Sequence, residues 1–191
     1  MESNRGIWGD LLFMAKLSTV CACLLLATKS AVGEKAELSV KTADVILQMF
    51  NEASLPYEKI AIERFNSIFA RQQSGKIKLW RNVDNPDIWA CEATGNGMWG
   101  EITVVFAINS ATWKIIGLRV VEQIETVGLG ARISEDEFGD KFVGLNASNE
   151  IKCVAIKIMN NEFDAVSGAS VSSGAVAKIV NKALKAIRQK L

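Results

Sequence analysis

Residues 101–123 constrain the fold most. EITVVFAIN at 101–109 and WKIIGLRVVEQ at 113–123 are two apolar, β-branched runs joined by the turn residues Asn109 to Thr112. Runs of this composition bounded by turn residues read as paired antiparallel strands. Shorter strand patterns precede them at Lys76 to Trp80 and Ile88 to Ala93, and GNG at Gly95 to Gly97 supplies a hairpin turn between the second of these and 101–109. A further strand pattern, KCVAIKIM, ends at Met159.

Helical periodicity occupies the two ends of this strand-rich stretch. From Ala36 to Arg71, Val40, Ala43, Ile46, Leu47 and Phe50 recur at helical spacing, Pro56 interrupts, and Ile60, Ile62, Phe65, Ile68 and Phe69 resume. Residues 134–142 form an acidic helical stretch. The chain finishes in a helix from Ser172, with Val176, Ile179, Val180, Ala183, Leu184 and Ile187 on one face and Lys178, Lys182 and Lys185 opposite. The expected class is α+β, an antiparallel sheet with flanking helices.

The hydrophobic run Leu11 to Ala27 carries one charge, Lys16. As a helix at about 1.5 Å per residue it would be slightly shorter than the hydrocarbon core of a bilayer. It reads as a short anchor over 11–30, as a cleaved secretory signal with small residues at Ser30 and Ala31, or as a buried helix. Basic residues lie at both ends, Arg5 and Lys16 before it and Lys29, Lys35 and Lys41 after it, so charge leaves its orientation open. The organisation expected is a tail at 1–10, the anchor at 11–30, a helical connecting segment at 31–75 and the principal domain at 76–191.

Histidine is absent from the 191 residues. That excludes a Ser-His-Asp triad, a Cys-His nucleophile pair and imidazole metal or haem ligation. With 22 Lys+Arg against 21 Asp+Glu the chain lacks the cationic surplus of a nucleic-acid binder. Four cysteines are too few for a disulfide scaffold; Cys21 and Cys23 fall in the hydrophobic run, and Cys91 and Cys153 fall on strands, where buried thiols are the simpler reading. Glu135, Asp136 and Glu137 suit a helix N-terminus better than a metal site. Among the tryptophans, Trp99 in the glycine-rich hairpin is the best placed to meet a ligand ring.

Two loops carry residues that folding alone does not require. IETVGLGARI at 124–133 joins a strand to a helix. Gly128 and Gly130 permit close backbone approach, and Glu125 and Thr126 offer polar contacts; a tight turn explains the same glycines. DAVSGASVSSG at 164–174 places Ser167, Ser170, Ser172 and Ser173 at the start of the last helix. Free N–H groups there favour an anion such as phosphate, although one serine acting as a cap would account for part of the pattern.

Asp164, Ser167, Gly168, Ala169 and Ser170 resemble the D-x-x-[ST]-G-A-[TS] flavinylation motif of the FMN-binding domain family. Glu125, Thr126, Gly128, Leu129 and Gly130 resemble its E-T-P-G-L-G loop, in the same order along the chain. The whole is similar to the G subunits of Rnf electron-transport complexes and more distantly to the C subunits of sodium-pumping NADH:quinone reductases. Residues 36–93 match only in general pattern. The resemblance implies an FMN-binding domain at 76–191, with FMN attached covalently by a phosphoester to Ser170. Ser167, Gly168, Ala169, Ser172, Ser173, Glu125, Thr126, Gly128, Leu129 and Gly130 would surround the cofactor. Ser170 stands where most members have Thr, and Val127 where Pro is usual.

The same resemblance implies an electron relay between ferredoxin and NAD, coupled to sodium or proton movement and without independent turnover. Its partners would be other Rnf-type membrane subunits and the flavin transferase that matures it. The domain would lie on the outer, periplasmic face of the cytoplasmic membrane. A free-standing exported FMN carrier for another reductase and a cofactor-free membrane-anchored binding module are the alternatives.

Overall fold

The computed structural model describes residues 9, 11–23, 38–50, 58–72 and 77–191. The chain divides into two units, Met1–Glu37 and Leu38–Leu191. In the first, residues 11–23 form a helix, α1, whose Leu11, Leu12, Phe13, Met14, Leu17 and Val20 are all exposed. Among the described residues no helix is long and apolar enough to cross a membrane. Residues 24–30 of the expected anchor lie outside the described residues.

The second unit is built on a five-stranded antiparallel meander, β1 (Phe69–Gln72), β2 (Lys78–Asn82), β3 (Ile88–Asn96), β4 (Glu101–Asn109) and β5 (Lys114–Glu122), in that spatial order. Strand β4 coincides with the predicted run and is buried on both faces from Ile102 to Ile108. Its neighbours in sequence therefore separate by alternation. Ile102, Val104, Phe106 and Ile108 enter one apolar core with Trp89 and Cys91 of β3, whereas Val105 enters a second core with Ile88 and Ala90.

Helices α2 (Val40–Met49) and α3 (Glu58–Ile68) supply the second core, where Phe65 stacks on Phe69 at 5.0 Å and meets Trp80 edge-on at 5.4 Å. The buried Thr42 Oγ1 donates to Glu92 Oε2 at 2.6 Å, and Lys78 Nζ pairs with Glu92 Oε1 at 2.5 Å, so this layer is joined to the sheet by a satisfied polar contact. The predicted helix through Phe69 stops sooner: Phe69–Gln72 is strand and pairs with β2. Phe69 is buried as the first residue of the strand, and a residue continuing the helical face would be expected to be buried too, which is why apolar spacing alone does not mark the change.

The first core is closed by the 3₁₀ turn Gly130–Ser134, α4 (Asp136–Asp140), a two-stranded parallel sheet of β6 (Lys152–Val154) and β7 (Glu162–Asp164), and α5 (Ser170–Arg188). Ring contacts among Phe138, Phe142 and Phe163 lock α4 against β7. Asn181 of α5 accepts from Ile151 N at 2.9 Å and donates to Ile151 O at 2.8 Å, fixing the helix beside β6. Lys178, Lys182 and Lys185 are exposed, as helical spacing predicts.

Three boundaries depart from the sequence pattern. The strand expected to reach Met159 ends at Val154, because carboxylates rather than a neighbouring strand take the N–H groups of Lys157, Ile158 and Met159. Strand β7 is too short to show a periodicity. The last helix begins at Ser170 rather than Ser172, and the acidic stretch is a 3₁₀ turn followed by one turn of α-helix.

Candidate functional site

The two loops singled out in the sequence face each other across one cavity of about 400 Å³. Its walls are Met98 and Trp99 from the β3–β4 connection, Glu125, Thr126, Leu129 and Gly130 from the segment after β5, and Gly168, Ala169, Ser170, Val171 and Ser172 from the start of α5. A volume in this range suits a small organic ligand.

Glu125 organises the three segments. Its side chain is buried, with 6% exposure. Oε1 accepts from Met98 N at 2.9 Å and Trp99 N at 3.0 Å, and Oε2 accepts from Ser172 Oγ at 2.5 Å. Burial pushes the carboxyl pKa up, but the hydrogen bonds from Ser172, Trp99 and Met98 outweigh it and hold the group below the usual range. The result is a carboxylate that stays ionised and spends its acceptor capacity on the protein's own donors.

Two glycines make room for it. A Cβ on Gly130 would stand 2.7 Å from Ser172 Oγ and 2.8 Å from Glu125 Oε2, and a Cβ on Gly97 would stand 2.6 Å from Ile102 Cδ1 and still closer to Glu125 Oε1. Neither position tolerates a side chain without moving the carboxylate. Gly168 meets a different need: at φ +78° it turns the chain into α5, a conformation that costs an L-residue but not glycine.

The N-cap of α5 is Ala169, and it makes no side-chain cap. A serine at the cap position therefore does not explain the cluster of hydroxyls. Each serine has its own place. Ser173 is fully buried, with Oγ accepting from Val166 N at 3.3 Å. Ser172 is committed to Glu125. Ser167 is exposed off the cavity wall and contributes its carbonyl to Arg132 Nη1 at 3.3 Å. Ser170 is exposed at the first helical position, on the wall, and among the described residues nothing engages its hydroxyl. By helix geometry the N–H groups of this turn have no partner within the helix.

Of the residues predicted to surround a ligand, Gly128, Ser167 and Ser173 lie off the cavity wall. Gly128 forms the turn at φ +75°, next to the exposed Val127. The wall also includes Met98 and Val171, two exposed apolar residues that the motifs do not mark. Their signal in the sequence is position alone: Met98 adjoins Trp99 and Val171 follows Ser170. All four cysteines are free, Cys91 buried and Cys153 partly so. No group of His, Cys, Asp or Glu among the described residues is arranged to hold a metal ion.

Residues 97–185 match the model of the FMN-binding domain family. The G subunit of an ion-translocating oxidoreductase complex from Methanosarcina acetivorans is 34% identical over 187 residues, covering 96% of each chain. The chain belongs to this family of FMN-binding G subunits. Another member, the G subunit of the Na⁺-translocating ferredoxin:NAD⁺ oxidoreductase complex of Acetobacterium woodii, is 28% identical over 93% of this chain and 88% of its own length. The fold also matches the crystal structure of the C subunit of a Na⁺-translocating NADH-quinone reductase from Parabacteroides distasonis, with a TM-score of 0.62 over 78% of this chain and 90% of that one at 18% identity.

The cavity has the characters a flavin requires. Met98, Trp99, Leu129 and Val171 offer apolar surface for a flat ring system. The start of α5 offers free N–H groups suited to an anion, and the unengaged Ser170 hydroxyl stands beside them on the cavity wall.

Proposed function

We propose that this domain carries FMN in the cavity between the two loops, joined to Ser170 by a phosphoester, and serves as an electron relay in a membrane-anchored Rnf-type complex. The observation that carries the reading is the placement of the serines. The hydroxyls of Ser172 and Ser173 are committed to the protein, Ser167 lies off the cavity, and Ser170 alone of the four presents an unengaged hydroxyl on its wall.

With a flavin dinucleotide as donor, attachment would form a bond from Ser170 Oγ to the phosphorus on the riboflavin side of the pyrophosphate, break the bond between that phosphorus and the bridging oxygen, release the hydroxyl proton and expel the nucleoside monophosphate. A flavin transferase supplies this chemistry in maturation. The free N–H groups at the start of α5 would hold the remaining phosphate charge. Bound FMN supplies one- and two-electron redox chemistry, and the protein's part is to hold the ring, exclude water and set its hydrogen bonds. Glu125 does so indirectly, by fixing Met98, Trp99 and the first turn of α5 in one arrangement.

The relatives' names supply the wider reading. One belongs to a ferredoxin:NAD⁺ oxidoreductase, and both belong to ion-translocating complexes. On that basis the relay passes electrons between ferredoxin and NAD together with other complex subunits, and sodium or proton movement is coupled to it. Residues 11–30 anchor the chain as a single span, and the domain sits on the outer face of the membrane, where covalent attachment prevents loss of the cofactor.

The test is to coexpress the chain with a flavin transferase, denature it on a gel and look for flavin fluorescence in its band. Fluorescence is expected with the unaltered chain and is lost in Ser170→Ala. A dark band from the unaltered chain removes the covalent reading, and fluorescence surviving Ser170→Ala moves the attachment elsewhere.

A further inference from the structure

Ser170 sits between two contacts that come from the same opposing loop. After it in the chain, Ser172 Oγ donates to the buried Glu125. Before it, Arg132 Nη1 donates to the carbonyl oxygen of the exposed Ser167 at 3.3 Å. Leu129 closes the same flank, since its Cδ2 stands 3.0 Å from the place a Cβ on Gly168 would take. One loop therefore grips the motif on both sides of Ser170.

The flank before Ser170 needs such a grip. Gly168 lies at φ +78° and, lacking a Cβ, has a wide choice of backbone angles, so residue type alone does not fix the turn. Within it, Ala169 N donates to Val166 O at 2.9 Å. Arg132 is the one cationic residue in 124–134 or 164–174, so neither loop offers a second clamp of this kind. Its guanidinium also pairs with Glu135 Oε1 at 3.3 Å, but with side chains 39% and 49% exposed that pair adds little to global stability. What Arg132 fixes is local.

From these contacts we propose that Arg132 is a positioning residue for flavin attachment: by holding the Ser167 carbonyl it keeps the 167–169 turn, and with it Ser170 Oγ, in the arrangement that faces the cavity. Attack on phosphorus requires the hydroxyl at a set distance and angle, and a small misplacement of a nucleophile costs rate steeply. Arg132 lies off the cavity wall and acts through the backbone of Ser167. The inference rests on the attachment to Ser170 proposed above.

The experiment mixes the purified full chain with a flavin transferase and flavin adenine dinucleotide, and follows flavin fluorescence in the denatured band over time at several concentrations of the chain. Arg132→Met keeps an unbranched stem and removes the donors and the charge. Its maximal rate of attachment should fall severalfold, with the half-saturating concentration and the final fluorescence per chain unchanged. Lys178→Met removes the same charge from the exposed face of α5 and should attach flavin at the parent's rate. Amide hydrogen exchange on the flavin-free chain supplies a second readout. In Arg132→Met, exchange should rise severalfold at Ala169, in the turn, and keep the parent's value at Trp99, whose N–H is held by Glu125.

The proposal is overturned if Arg132→Met attaches flavin at the parent's rate, if Lys178→Met slows attachment equally, or if exchange at Ala169 is unchanged. It is also overturned if the change lies in the half-saturating concentration, which would make Arg132 a contact for the transferase. An unaltered chain that takes no flavin removes the attachment reading and this role with it, and faster exchange at Ala169 in Arg132→Met would then leave Arg132 as a clamp of structure alone.

Discussion

Ser172 Oγ donates to Glu125 Oε2 at 2.5 Å across 47 positions of sequence, and this contact joins the two loops that form the cavity. With Met98 N and Trp99 N on the other oxygen, one buried carboxylate ties three separate chain segments together. Truncating it as Glu125→Ala leaves those donors without an acceptor, and the expected loss is about 1–3 kcal/mol of unfolding free energy. Urea titration of the two proteins checks this; a difference under a few tenths of a kcal/mol would falsify the organising role.

The same carboxylate gives stability a pH dependence of fixed sign. Its folded-state pKa is lowered, so its contribution is fully present above the ordinary carboxylate range and is lost as pH falls through the folded value. Glu162 acts in the same direction, because the N–H groups of Met159 and Ile158 hold its carboxyl low. Unfolding free energy should therefore fall on acidification, and Glu125→Gln should flatten that fall. A variant curve parallel to the parent's over the acid limb would show that Glu125 is not the group responsible.

Glycine substitutions should separate crowding from helix propensity. Gly130→Ala forces a Cβ against Ser172 Oγ and Glu125 Oε2, so it should destabilise the domain and lower flavin loading together. Gly174 is inside α5 with nothing within 4 Å of its would-be Cβ, so Gly174→Ala should stabilise by about 0.5–1 kcal/mol. Thermal melts of the pair decide it, and equal shifts of the same sign would contradict the geometry.

Removing hydroxyls one at a time distinguishes attachment from support. Ser172→Ala and Ser173→Ala each delete a hydrogen bond, and each should lower the melting temperature while leaving the denatured band fluorescent. Ser170→Thr keeps a hydroxyl at the exposed first helical position and should retain fluorescence. Loss of the signal in Ser172→Ala, with the protein still folded by circular dichroism, would place the bond two residues later than proposed.

Much of the sheet is legible in the sequence. Strand β4 matches its apolar run, and the helical face of α5 from Val176 to Ile187 follows its spacing, because both patterns report burial directly. Phe69 is ambiguous, since an apolar residue at the end of a helix is buried equally well as the first residue of a strand. The 155–160 loop misleads for the opposite reason: its alternating Ile residues fit a strand, but no neighbouring strand takes up its backbone groups and the carboxylates of Glu162 and Asp164 do.

The sequence by itself determined the α+β class, the two glycine-bearing loops and the family resemblance, since each depends on residue type and order along the chain. Tertiary structure alone decided which hydroxyl faces the cavity unengaged. Four serines within seven residues are chemically alike, and beyond the motif's register, which points to Ser170, only their surroundings distinguish them. Ser173 is held by Val166, Ser172 by Glu125, Ser167 lies off the wall with its carbonyl on Arg132, and Ser170 remains on the wall. The reason is that a hydrogen bond depends on where its partner lies in space, and Glu125 reaches Ser172 only after the sheet and α5 have packed.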